Sequence, residues 1–191
     1  MKQFKGFERK ESVEWELLPK GAYVIKLLNV KEEANKTSSG SHLAIAFDVA
    51  EGEYQGFYKK SFDNDTREDK KWPNDAVIYI NCPEDNSPQW VIDTFNKFMT
   101  AVEDSNEGYH WSWEESTLKN KLVGAKFCNE QSEYDGKIYD HTKAKWFIAA
   151  QKVRDGKFGK LPNDKLITVK NNATDGFVNV PDNITDEEIP F

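Results

Sequence analysis

The chain has 191 residues, with 33 acidic against 26 basic side chains and a formal charge of −7. It contains no run near the roughly 18 apolar residues that a membrane-crossing helix needs and no apolar signal segment after Met1, so a soluble cytoplasmic protein of one domain plus appendages is expected. Two cysteines, Cys82 and Cys128, and three scattered histidines, His42, His110 and His141, argue against a disulfide framework or a structural metal, and no cofactor is expected.

In chain order, residues 1–18 read as a polar arm whose late alternation at Val13, Trp15 and Leu17 points to a short strand or edge contact. After Pro19 and Gly21, the β-branched and apolar run from Ala22 to Val30 predicts a first strand. The turn-forming Lys31–His42 stretch predicts an exposed loop. Leu43, Ile45, Phe47 and Val49 then alternate with Ala44, Ala46 and Asp48, the clearest period of two in the chain. A turn at Glu51-Gly52-Glu53 leads into a third strand expected over Gly56–Phe62, and Val77–Ile80 could add a small strand. A helix follows, with Ser87 as N-cap and Pro88 at its first position; Val91, Phe95, Phe98, Met99 and Val102 form one apolar stripe.

Beyond the helix, Tyr109, Trp111 and Trp113 sit in a connector where they could cover the core or stack on a ligand. Leu122–Glu130 predicts a fourth strand, Glu133-Tyr134-Asp135-Gly136 a hairpin turn, and Lys137–Ile148 a fifth strand. On that strand Tyr139, His141, Lys143 and Lys145 are expected on one face, opposite Ile138, Ala144, Trp146 and Ile148. One more turn at Val153–Phe158 closes the body, and residues 161–191 read as linker and tail, poor in core formers. The expected domains are therefore an arm (1–18), a body (19–160) and a linker with an acidic tail (161–191).

Three strands, a helix and a two-stranded hairpin is the element order of the OB-fold, a mainly β, five-stranded Greek-key barrel with its helix between strands three and four; here an extended C-terminal tail is appended. Such barrels bind oligonucleotides or oligosaccharides on the face of strands two and three and under the flanking loops.

Charge is unevenly distributed along the chain. Residues 61–117 hold 4 bases against 13 acids, residues 118–174 hold 12 against 6, and residues 175–191 hold none against 5. A net acidic protein can still carry a basic binding face, because binding depends on one surface and not on the total. The candidate DNA-contacting set is Lys126, Tyr139, Lys143 and Lys145, with Tyr58, Lys59 and Lys60 from the expected third strand; lysines would neutralise phosphates and rings would stack bases. Sequence spacing offers no Ser/His/Asp order, phosphate loop or metal-ligand cluster, so a non-catalytic protein is expected.

The chain's last residues are Asp186, Glu187, Glu188, Ile189, Pro190 and Phe191. Proline stiffens the backbone ahead of an aromatic ring that can fill a pocket, while the carboxylates can pair with surrounding cations. This tail resembles the C-terminal tip of bacterial and phage single-stranded DNA-binding proteins. The resemblance implies that residues 186–191 recruit replication or recombination proteins. The body, through Leu18–Tyr23, Phe47–Tyr54, Ser105–Tyr109, Glu133–Gly136 and Arg154–Phe158, resembles a group of single-stranded DNA-binding-like proteins from phages and mobile elements of Firmicutes. Single-stranded DNA binding without catalysis, in phage or mobile-element replication or recombination, is the function these resemblances imply. A protein-interaction or inhibitory module on the same scaffold remains an alternative, as does an oligosaccharide binder using Trp111 and Trp113.

Overall fold

The computed structural model describes residues 16–36 and 39–167. Five strands form a single antiparallel sheet: β1 (Ala22–Ala34), β2 (Ser41–Val49), β3 (Val77–Asn81), β4 (Leu122–Tyr134) and β5 (Lys137–Ile148). Three helices accompany them: α1 (Phe57–Asn64), α2 (Gln89–Ser105) and α3 (Ala150–Arg154). The strand order is β3-β2-β1-β4-β5, so β3 and β5 are the outer strands and share no ladder. None of the described helices is long and apolar enough to cross a membrane.

The alternation in β2 works as its spacing predicts. Leu43, Ile45, Phe47 and Val49 are buried, and they meet Ile25 and Leu27 of β1 and Phe127 of β4 in one core. β1 is long because it serves two partners: its first half pairs with β4 and its length from Ile25 onward pairs with β2. A bulge at Leu28, between Leu27 and Asn29 in the β2 ladder, bends the strand between these duties. Leu18, from the end of the expected arm, is 1% exposed and belongs to the core, while residues 1–15, including Val13 and Trp15, lie outside the described residues.

α2 lays its apolar stripe on the sheet, with Val91, Phe95, Phe98, Met99, Ala101 and Val102 buried and Phe98 edge-on to Phe147 at 4.9 Å. Pro88, not Ser87, stands at its N-cap; the Ser87 hydroxyl instead accepts the Glu84 N–H at 2.8 Å. Asn106 ties the far end of the helix to β4, donating to Val102 O and Leu122 O while accepting the Leu122 N–H. The expected turn at Asp135-Gly136 joins β4 to β5, both residues having the positive φ of a tight hairpin (51° and 69°). α3 lies against the sheet where Gly124 leaves room, since a Cβ there would fall 2.8 Å from Val153 Cγ2.

One element differs in kind from its expectation. Gly56–Phe62 is not the third strand, because Phe57–Asn64 is helix α1; Val77–Asn81 takes the strand role beside β2. The cause lies ten residues upstream. Asp48, buried at the end of β2, accepts the backbone N–H groups of Tyr58 and Lys59, at 2.9 and 3.1 Å, as well as that of Val49 at 2.8 Å. A carboxylate placed there satisfies the orphan donors of a helix start, as an N-cap side chain would. Burial raises the pKa of Asp48, and the three donors offset part of that rise.

Within the stretch expected as linker, residues 164–165 are tied to the sheet. Lys165 donates its N–H to Asn129 O and accepts that of Gln131, both at 2.9 Å, and Asp164 accepts the Asn129 N–H, so residues 164–165 run along β4 where β1 has ended. Lys20 pairs with Asp164 at 2.9 Å and holds this segment from the other side.

Candidate nucleic-acid interface

The outward surface of β4 and β5 gathers most of the expected residues. Cross-strand partners share a face, and the pairs Lys126–Trp146, Cys128–Lys143, Glu130–His141 and Ser132–Tyr139 therefore stand together. The expected alternation of β5 fails at one point. Phe127 pairs with Ala144 while Lys126 pairs with Trp146, so Lys145 is an extra residue and the alternation restarts after it. Trp146, expected opposite Lys143, instead shares its face and is 48% exposed, while Phe147 turns inward onto Phe98.

The lysines of this face are not equivalent. Lys126 is 9% exposed; its Nζ donates to Lys160 O at 3.1 Å and lies 5.7 Å from the centre of the Trp146 ring. It has no carboxylate partner among the described residues. Lys143 Nζ pairs with Asp75 at 2.7 Å and donates to Asn74 O at 3.0 Å. Lys145 Nζ forms an ion pair with Glu130 Oε1 at 2.8 Å, and Lys165 lies 3.6 Å from the same oxygen. Burial works to raise the pKa of Glu130, but these two ammonium groups outweigh it and hold the carboxyl below its ordinary range. Tyr139 is 45% exposed at the hairpin end of the face.

The remaining members of the expected set lie elsewhere. Tyr58 is 4% exposed, packed on Phe47 at 5.5 Å and Phe57 at 5.2 Å, and has no face open for a base. Lys59 and Lys60 are exposed on α1, Lys59 paired with Asp63 at 2.8 Å. The structure thus brings together Lys126, Tyr139, Lys143 and Lys145, adds Trp146, and separates the α1 residues from them. Asp186–Phe191 lie outside the described residues.

A second outward surface was not singled out from sequence. On β2 and β3, His42 pairs with Asn81 and Ala44 with Tyr79; Tyr79 is 63% exposed and edge-on to His42 at 5.4 Å. The signal was available. Ala44 and Ala46 are the small residues between the apolar positions of β2, and they give a flat floor beside a protruding ring.

No protein-family model matches the chain, and no curated protein matches it.

Across the sheet's open side, Asp75 links the turn before β3 to β5. Its carboxylate meets His141 Nδ1 at 3.0 Å as well as Lys143, and His141 Nε2 lies 2.8 Å from Ser132 Oγ. Sequence order does not suggest this Ser132–His141–Asp75 relay, because three separate elements supply it. Its Asp is shared with a lysine and its Ser stands exposed on an open strand, so the contacts act as a clasp between the two outer strands. Among the described residues, none walls a substrate against the hydroxyl.

Proposed function

We propose that the chain is a non-catalytic, sequence-tolerant single-stranded DNA-binding protein of OB type, acting in phage or mobile-element replication or recombination, with its acidic C-terminal residues recruiting partner proteins. The observation that carries the reading is the outward β4–β5 face, where Trp146 lies beside Lys126 and in line with Lys143 and Tyr139. Exposed rings beside ammonium groups on one sheet surface, here Tyr139 and Trp146 with partly buried lysines, suit unpaired bases and their phosphates. The strand order β4-β1-β2-β3 is that of a Greek key, and α2 falls between β3 and β4, which supports the OB reading. In this reading Asp75 bridges the gap between β3 and β5 that a closed barrel would fill with a ladder.

Phosphates compete with the carboxylates already present. Lys126 has no acidic partner among the described residues to give up but must leave Lys160 O and its buried position to meet a phosphate, whereas Lys143 and Lys145 must exchange Asp75 and Glu130 for it. Titration of a fluorescent oligo-dT at several salt concentrations tests the function. Affinity should fall as salt rises, with a log-log slope of about −0.7 for each phosphate neutralised. No binding, or a flat salt response, overturns it.

A further inference from the structure

A cleft of about 200 Å³ shares no lining residue with the β4–β5 face; Glu32 of β1, Pro83, Phe95 of α2, Trp111, Trp113 and Glu115 line it together with Leu43 and Cys82. Three rings form its wall: Phe95 and Trp113 stack at 6.0 Å and 14°, and Trp111 stands 6.3 Å from Phe95 and 6.2 Å from Trp113. Trp111 is fixed through its backbone N–H, which Glu103 Oε1 accepts at 2.7 Å, and its ring packs on the core. Trp113 is held differently. It is 76% exposed and has φ of 62°, a left-handed conformation uncommon for a bulky side chain. The indole Nε1–H of Trp111 is buried with no partner among the described residues.

The charge around these rings has one sign. Glu32 and Glu115 are the ionisable side chains of the lining other than Cys82, and neither lysine, arginine nor histidine belongs to it. Electron-rich ring faces and carboxylates both attract cations, and they repel phosphate. We propose that this cleft binds the cationic side chain, an arginine guanidinium above all, of a basic segment of a partner protein. Arginine fits both halves of the wall, since its plane stacks on an indole while its edge pairs with a carboxylate. The site is independent of the DNA reading, because its residues and charge are separate from those of the β4–β5 face.

The test uses the full-length ¹⁵N-labelled chain, whose six tryptophans give six indole signals. Nα-acetyl-arginine amide is titrated in, and Trp111→Phe and Trp113→Phe assign the two relevant signals. Those two should shift saturably, and the double variant Glu32→Gln/Glu115→Gln should weaken binding by about tenfold or more, while Glu107→Gln leaves it unchanged. Absence of the shifts, or equal affinity in the double variant, overturns the proposal. A response to chitotetraose in place of arginine also overturns it, in favour of a sugar site.

Discussion

Two of the surfaces that present tryptophan to solvent among the described residues differ in the charges beside the ring. On the β4–β5 face Trp146 lies beside Lys126, with Lys143 and Lys145 nearby; in the cleft by α2, Trp111 and Trp113 lie beside Glu32 and Glu115. An aromatic ring alone does not choose between a base, a sugar and a cation, because each can stack on it. The neighbouring charges make the choice. In the proposed readings the first surface takes a polyanion and the second a cation, and the two ligands would not compete.

Both surfaces rest on one core, and the largest effect follows from breaking it. Phe98→Ala removes a fully buried ring by which α2 meets Phe147 of β5, and should cost about 3–5 kcal/mol in urea unfolding, with both proposed binding activities lost together. The comparison is sharpest at the rings themselves. Trp146→Ala should weaken oligo-dT binding by about 1–3 kcal/mol, and Trp113→Ala should leave it unchanged; equal losses in fluorescence titration would erase the distinction. Tyr58→Phe should likewise leave oligo-dT binding unchanged, because that ring is enclosed.

Charge substitutions should act less strongly and in opposite directions. Lys126→Gln should reduce the salt slope by about 0.7, while Lys59→Gln, on α1, should not alter it. Glu130→Gln releases Lys145 from its pair and should tighten oligo-dT at low salt. pH gives the same contrast without mutation. Because the folded-state pKa of Glu130 is lowered, its pairing with Lys145 is complete above the ordinary carboxylate range and is lost as pH falls through the lowered value. The smallest expected effect is on the tail: removing Asp186–Phe191 should tighten oligo-dT modestly at low salt, a difference that shrinks as salt screens the five acids of residues 175–191. The same deletion should abolish recruitment of a replication or recombination partner in pull-down.

The elements most legible from sequence are those whose own residues decide them. The alternation of Leu43, Ile45, Phe47 and Val49 and the stripe from Val91 to Val102 each carry a complete period, and both elements form as spacing predicts. Phe57–Asn64 does not, because the group that caps it, Asp48, belongs to a strand that reads as a strand in its own right. The candidate face was legible in part for a similar reason. Alternation brought Tyr139 and Lys143 together, but an extra residue at Lys145 depends on the register of β4 and leaves no mark in β5 itself. Nor can spacing reveal that Asp75, 68 positions before Lys143, pairs with it.

Residues 164–165 have a consequence for where this chain can be cut. They supply backbone partners to Asn129 and Gln131 along the part of β4 that β1 does not reach. A shortened protein ending at Lys160 would leave those groups as an unpaired strand edge, ready to pair with the same edge of another molecule. Ending it after Ile167 keeps that edge covered. In sedimentation, the shorter protein should self-associate with rising concentration and the longer one should not, so insolubility after truncation would report a missing strand partner and not an unstable core.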